Sequence, residues 1–197
     1  MKISDFESIE GKLQSKVIQA HPPPLSLSPG KLFSGDYTGI NFPVIFKQEY
    51  GKELADVINT GTPYILLVSD KFMAILVASA FTGWKTFDAK LTDKKGREIE
   101  GYHGLTITGY CGKIDNNKSE VIEKPAPLPG DSPMKYRRGL YVGLDEWDGT
   151  DLFSPEGTTY IVAAKKVTDI LKTHKLTNIK FRNLADIETW IWEDSGK

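Results

Sequence analysis

Few residues in this chain have the types and spacing that catalysis or metal binding requires. The three histidines, His21, His103 and His174, share no short spacing, and the single cysteine, Cys111, has no metal-ligand partner nearby. The chain lacks a phosphate-binding Gly-x-x-x-x-Gly-Lys loop, a dinucleotide fingerprint and a Gly-x-Ser-x-Gly elbow. A general base at His103 is the weaker alternative to a structural role. We therefore predict no catalytic residue, no metal site and no cofactor.

One short segment carries a dense group of acidic side chains, Asp145, Glu146, Asp148 and Asp151. Carboxylates at close spacing can bind a divalent cation. The spacing does not match the Asp-x-Asp-x-Asp-Gly calcium loop, however, and Trp147 interrupts the group. Solvated turn residues are the favoured interpretation. The functional alternative is a negative surface that attracts a basic partner and mimics nucleic acid if that partner is a nuclease.

The densest basic segment is Lys135, Tyr136, Arg137 and Arg138. Aromatic and basic side chains together can bind nucleic acid, but two arginines and a net charge of −1 argue against that partner. Tyrosine, tryptophan and arginine dominate the energetic centres of protein interfaces. We therefore define a candidate partner surface, with the alternative that Arg138 pairs with an acid such as Asp145 and Trp147 packs in the core. The candidate partner surface comprises Tyr136, Arg137, Arg138, Asp145, Glu146, Trp147, Asp148 and Asp151.

The elements that position these residues include a pattern that occurs twice, at 64–87 and again 95 positions later. Each copy has a short apolar run, then apolar residues at helical spacing, then a second apolar run. The helices are predicted to stop at Thr82-Gly83 and Thr177-Asn178, because glycine and asparagine most easily take a left-handed backbone at a helix end. The pattern predicts two strand–helix–strand units. Five residues are identical between the copies: Lys71, Ile75, Leu76, Thr82 and Lys85 match Lys166, Ile170, Leu171, Thr177 and Lys180.

The remaining patterns predict a mixed α/β fold with short mixed sheets flanked by helices. Apolar residues at helical spacing predict one helix over 46–58 and a closing helix over 184–193. Four prolines make 115–135 a crossover without regular structure across its middle. We predict one compact domain over 1–197, with two subdomains, 1–114 and 136–197, as the alternative.

The bulk properties are those of an ordinary soluble protein. The 197 residues are 40% hydrophobic and 26% charged, and a single cysteine excludes an intramolecular disulfide. The N-terminus lacks an apolar signal core, and the longest apolar run is far too short to cross a bilayer. We predict a cytoplasmic protein with neither nucleic acid nor membrane as its partner.

The sequence Trp-Asp-Gly-Thr-Asp-Leu-Phe at 147–153, followed by Leu-Thr-Asn-Ile-Lys-Phe at 176–181, resembles a bacterial family. The first copy, with Ser-Asp-Lys-Phe at 69–72 and Phe-Thr-Gly-Trp at 81–84, has the corresponding elements. The family comprises immunity proteins of polymorphic toxin systems, first catalogued as a domain of unknown function. The resemblance implies a cytoplasmic protein that binds and occludes a cognate toxin domain.

Two other functions are compatible with the sequence. A small-ligand-binding protein or an enzyme would have its pocket between the two repeated units, because pockets form preferentially at such junctions. An adaptor would dock through the proline-rich segment 125–133.

Overall fold

The computed structural model describes residues 1–22, 31–32, 35–62, 65–126, 128, 130 and 132–191, and within them the fold is mixed α+β and rich in sheet. Two nine-residue α-helices are α1 (Asp70–Ala78) and α2 (Lys165–Thr173). The strands are β1 (Phe6–Gly11), β2 (Gln19–His21), β3 (Val44–Tyr50), β4 (Val57–Asn59), β5 (Ile65–Ser69), β6 (Trp84–Phe87), β7 (Ala89–Thr92), β8 (Glu98–Ile99), β9 (Tyr102–Ile107), β10 (Tyr110–Cys111), β11 (Glu120–Lys124), β12 (Met134–Arg138), β13 (Leu152–Pro155), β14 (Ile161–Ala164), β15 (Ile179–Asn183) and β16 (Glu188–Trp190).

The strands form three sheets. The largest has the order β6-β9-β5-β4-β2-β3-β7-β8, and a five-stranded sheet has the order β10-β13-β14-β1-β15. A small third sheet has the order β11-β12-β16. The five-stranded sheet combines β1 and β10 from the first half of the chain with β13, β14 and β15 from the second half. The two halves therefore share a sheet.

Two hydrophobic cores lie against these sheets. The larger core contains the buried faces of both helices, with Phe72 and Leu76 from α1 and Val167 and Leu171 from α2. These residues belong to the apolar stripes that helical spacing predicts. The smaller core contains residues of β3, β4, β5 and β7, including the fully buried Phe46. No residue of β11, β12 or β16 belongs to either core.

Two groups of elements have the same strand order at nearly constant sequence offsets. In one group β4, β5, β9 and β6 are neighbours, and α1 lies between β5 and β6 in the chain. In the other group β13, β14, β1 and β15 are neighbours, and α2 lies between β14 and β15 in the chain. We use the names first unit and second unit only as labels for these two groups. Val57 pairs with Val68 in the first unit, and Leu152 pairs with Ala163 in the second, an offset of 95 at both positions. The N-terminal β1 takes the place that β9 has in the first unit.

The helix ends also correspond. Ala80 and Lys175 both have φ of 50°, and Gly83 and Asn178 follow with φ of 87° and 57°. Gly83 and Asn178 are therefore left-handed as predicted, but the helices end earlier, at Ala78 and Thr173, and the left-handed residues nearest to their ends are Ala80 and Lys175.

Two aspartates at the same offset join the units reciprocally. Asp56 Oδ2 accepts hydrogen bonds from the backbone N and Oγ1 of Thr177, at 2.7 and 2.8 Å. Asp151 Oδ2 accepts the same pair of bonds from Thr82, at 2.9 and 3.0 Å. Each threonine Oγ1 accepts in turn from the backbone N–H of its aspartate, at 2.8 and 3.1 Å. We call these contacts the Asp–Thr clasps. Each unit holds the residue just beyond the helix of the other.

Two predicted helices are wrong. The segment 46–58 contains most of β3 and the start of β4, and burial alternates along β3 from its first residue, with Val44 and Phe46 buried and Ile45 and Lys47 exposed. Such a period of two suits a strand. The closing helix over 184–193 is instead a 3-10 turn (Leu184–Asp186) followed by β16, which pairs with β12. Within 115–135, β11 and the start of β12 pair as an antiparallel hairpin, so this crossover contains regular structure at both ends.

Candidate functional site

The three-stranded sheet contains the basic residues of the candidate partner surface. Tyr136 lies on the central strand, opposite Ile122 of β11 and Trp190 of β16. Directly opposed residues of antiparallel strands lie on the same face, so these three side chains form one row across the sheet. Trp190 is 45% exposed. Ile122 and Tyr136 are half-buried, so the row leaves some aromatic and aliphatic surface accessible outside the two cores of the described residues.

The charged residues on that face neutralise one another. Glu188 accepts a hydrogen bond from Arg138 Nη2 at 3.1 Å and forms an ion pair with Lys124. Glu120 lies 3.7 Å from Arg138. The hydrogen bond from Lys124 and, next in importance, the hydrogen bond from Arg138 lower the pKa of the Glu188 carboxyl below its usual value. The predicted alternative pairing of Arg138 with an acid such as Asp145 is replaced by pairing with Glu188 and Glu120.

A groove of about 640 Å³ adjoins the base of this sheet. Its walls include Lys118, two residues before β11, and Ala185, three residues before β16. Tyr141 lies on the same groove, and its ring packs beside Gly139 at the end of β12. Ile3, Val142 and Leu144 supply apolar lining, and Asp145 lies at the groove as its acidic residue. The groove therefore places one predicted acid beside the strands that carry Tyr136, Arg137 and Arg138.

Glu146 and Asp148 face a different neighbour, Tyr110 of β10. The Tyr110 hydroxyl donates a hydrogen bond to Glu156 at 2.8 Å, and its oxygen lies 3.5 Å from a carboxylate oxygen of Glu146. Its bond to Glu156, with partial burial and the two negative charges, raises the pKa of Tyr110 to about 12. Asp148 accepts a hydrogen bond from the Tyr110 backbone N–H at 2.9 Å. Its carboxylate also accepts a hydrogen bond from the Thr150 backbone N–H, which closes the turn at 148–150. Burial, followed by the charges of Asp148 and Glu146, raises the pKa of Cys111 to about 12.

Trp147 and Asp151 have structural neighbours. The Trp147 ring packs against Phe6 and Phe153, with centroids 5.4 and 5.6 Å apart. Asp151 is 8% exposed and forms an ion pair with Lys166 besides its clasp with Thr82. The eight predicted residues therefore fall into three groups: Tyr136, Arg137, Arg138 and Asp145 at the sheet and its groove, Glu146 and Asp148 around Tyr110, and Trp147 and Asp151 in the interior.

A second cavity, of about 330 Å³, lies where the two units meet. Ile65 and Leu66 of β5 line it from one side, and Ile9 of β1 and Ile161 of β14 from the other. Its acid, Glu10, forms an ion pair with Arg182. The cavity therefore has an apolar lining and an acid that already has a partner.

His103 has a neighbour that the sequence pattern did not indicate. Its Nε2 lies 2.6 Å from Oδ1 of Asp70, the first residue of α1. Both side chains are substantially exposed, at 45% and 74%. Antiparallel pairing of β5 with β9 brings His103 and Asp70 together although they are 33 residues apart in the chain, so no local sequence motif could have indicated the contact. Within the described ranges, no group of three or more His, Cys, Asp or Glu is arranged to hold a metal ion.

Comparison with protein-family models finds no match, and comparison with curated proteins finds no similar sequence. Among the residues that the structure describes, no helix is both long and apolar enough to cross a membrane.

Proposed function

We propose that this is a non-catalytic cytoplasmic immunity protein that binds a cognate toxin domain through the β11-β12-β16 sheet and its adjoining groove. One observation carries the proposal: this sheet belongs to neither hydrophobic core, yet it aligns Ile122, Tyr136 and Trp190 in one row. Exposed and half-buried aromatic and apolar residues in one row are typical of binding surfaces. The resemblance of the two repeated motifs to immunity proteins supplies the class of partner.

The mechanism is occlusion. A standard interface covers roughly 800 Å² on each partner, so it would extend beyond the three short strands and include the groove. Tyr136 and Trp190 would supply rigid aromatic contacts at its centre. The groove would admit one apolar side chain of the toxin. Binding there would block the toxin's active site sterically, without chemistry by the immunity protein.

We also infer that the two units are copies of one ancestral strand–helix–strand unit within a single domain. The common strand order, the offset of 95 and the reciprocal clasps support this inference. The β11-β12-β16 sheet lies outside both units. An addition of this kind can vary with the partner while the duplicated framework keeps the fold, which is the usual division between scaffold and binding elements.

The test begins with capture of the toxin. The tagged protein is used as bait in a lysate of the source cells, and a stoichiometric partner with a toxin-like C-terminal domain is purified. Inhibition of that domain is then titrated with the Tyr136→Ala/Trp190→Ala variant. We expect a loss of about 30-fold or more in affinity, which corresponds to a hot spot of about 2 kcal/mol.

Tyr50→Ala is the matched control, because Tyr50 is 60% exposed on β3, outside the proposed surface. It should inhibit as the wild type does. Full inhibition by the double variant would refute the proposed surface, and absence of any such partner in cells that express the toxin would refute the immunity function.

A second candidate function is small-ligand binding in the cavity between the units, and its apolar lining from both units favours it. Thr60 is buried at this cavity and donates its hydroxyl to the carbonyl of Ile65. Screening of small apolar metabolites by thermal shift distinguishes the two functions. A ligand whose stabilisation disappears in the Leu66→Trp variant, which fills the cavity, would favour this alternative.

A further inference from the structure

The two faces of the three-stranded sheet differ in how their charges are matched. On the face with Tyr136, the cations Lys124 and Arg138 both pair with Glu188. On the opposite face, Arg137 stands in a row with Val121 and Thr189. Within the described part of the chain Arg137 has no carboxylate partner, although it is half-buried. A guanidinium stays protonated at any physiological pH, so this charge lacks the partner that its neighbour has.

The strand beside Arg137 has a free edge. β11 is the outermost strand in the order β11-β12-β16, and its outer backbone groups pair with no further strand of the described chain. Val121, directly opposite Arg137, is 58% exposed on this edge strand. An edge strand with an exposed apolar residue is a template for pairing with another chain.

We propose that β11 accepts an extended acidic segment of a partner protein as a fourth strand, with Arg137 binding one of its carboxylates. The inference rests on the proposed function, since it names the chemistry of the segment that the binding surface takes. Backbone hydrogen bonds along β11 would supply affinity, and side chains at alternate positions would supply specificity. A carboxylate matches the fork of a guanidinium with two parallel hydrogen bonds.

The neighbouring charges favour an acidic protein segment over nucleic acid. Glu120 and Glu123 of β11 would repel a phosphate backbone that followed the strand, because each phosphate carries a charge at short spacing. A segment with one carboxylate at the position of Arg137 and uncharged residues elsewhere avoids this repulsion. The occupant is therefore an extended peptide with a single carboxylate, flanked by small or β-branched side chains.

The test uses three fluorescent octapeptides and measures anisotropy. The first has Thr and Val around one central Glu, the second replaces that Glu by Gln, and the third carries N-methyl groups on alternate residues. N-methylation removes the donors that strand pairing needs while it keeps the carboxylate. Each peptide is titrated with the wild type, with Arg137→Glu and with Lys94→Glu. Lys94→Glu makes a charge change of the same size in the exposed turn between β7 and β8, which belong to a different sheet from β11.

We expect the wild type and Lys94→Glu to bind the first peptide at least tenfold more tightly than the other two peptides. Arg137→Glu should lose the preference for Glu over Gln and bind the first peptide at least tenfold more weakly than the wild type does, and Arg137→Lys should recover part of that preference. Equal binding of the first and the N-methylated peptide would overturn strand addition. Unchanged binding by Arg137→Glu would overturn the role of Arg137.

The outcome also separates this inference from the proposed function. If Arg137→Glu still inhibits the captured toxin as the wild type does, the edge of β11 is not the contact and the inference is overturned, while the immunity function stands. If the peptide preferences hold and no toxin is inhibited, strand addition stands and the immunity function is overturned.

Discussion

Removal of the Asp151 carboxylate should destabilise the protein strongly. In the Asp151→Ala variant, Thr82 loses acceptors for its backbone N–H and its hydroxyl, and Lys166 loses its ion pair. Hydrogen bonds to a charged group contribute roughly 1.5–3 kcal/mol each, and contributions within one network are not additive. With the side chain 12% exposed, we expect a loss of about 3 kcal/mol in the free energy of unfolding.

The assay is thermal and urea unfolding followed by circular dichroism. For a chain of this size, a loss of about 3 kcal/mol lowers the unfolding midpoint by roughly 6–12 °C. Thr82→Val removes the hydroxyl alone, and the double variant completes a cycle with Asp151→Ala. We expect a coupling of about 1 kcal/mol between the two residues, because the bond from the Thr82 hydroxyl to the Asp151 carboxylate is lost in either single variant.

The pseudo-equivalent aspartate supplies the internal comparison. Asp56 makes the same bonds to Thr177 but is more exposed, so Asp56→Ala should lower the midpoint less than Asp151→Ala does. A midpoint for Asp151→Ala within about 2 °C of the wild type, or additive effects with Thr82→Val, would refute the view that the clasps hold the units together.

The clasp aspartates, Gly83 and Cys111 each have a property that can be measured separately. Burial opposes ionisation of Asp56 and Asp151, but their hydrogen bonds and nearby lysines outweigh it and lower both pKa values. The stability that their ionised forms contribute is therefore present above the unfolded pKa of about 3.9 and is lost as pH falls through the lower folded pKa values. The Asp56→Asn/Asp151→Asn double variant should lose less stability over that pH range than the wild type, and an equal loss would contradict this prediction. Gly83→Ala should lower stability in urea unfolding far more than Gly149→Ala does. Both glycines have positive φ, but a Cβ at Gly83 would lie 1.9 Å from the Leu152 carbonyl oxygen, whereas a Cβ at Gly149 would have no atom within 4 Å. Equal effects would show that backbone strain, and not the contact with Leu152, decides the loss. Because Cys111 is fully buried and its pKa is raised to about 12, a thiol reagent at pH 8 should modify it only after unfolding, and fast labelling of the native protein would contradict the packing around β10.

The sequence by itself determined the features that depend on neighbouring residues. Apolar spacing of three and four residues identified the buried faces of α1 and α2, because a helix forms its bonds within one segment. Gly83 and Asn178 were identifiable as left-handed positions for the same reason, since that preference belongs to the residue itself. Repetition of the pattern at an offset of 95 also located the threonines that form the clasps.

Only the tertiary structure decided the features that join distant segments. β3 resembles a helix in spacing and became a strand because β2 and β7 pair with its edges. Asp151 has the same local pattern as the solvated Asp145, and only Thr82, 69 residues away, makes it a structural residue. Arg138 differs from Arg137 in the same way, because Glu188 lies opposite one and Thr189 opposite the other. Sequence spacing reports the face of an element on which a side chain lies; which partner faces it depends on strand pairing between segments far apart in the chain.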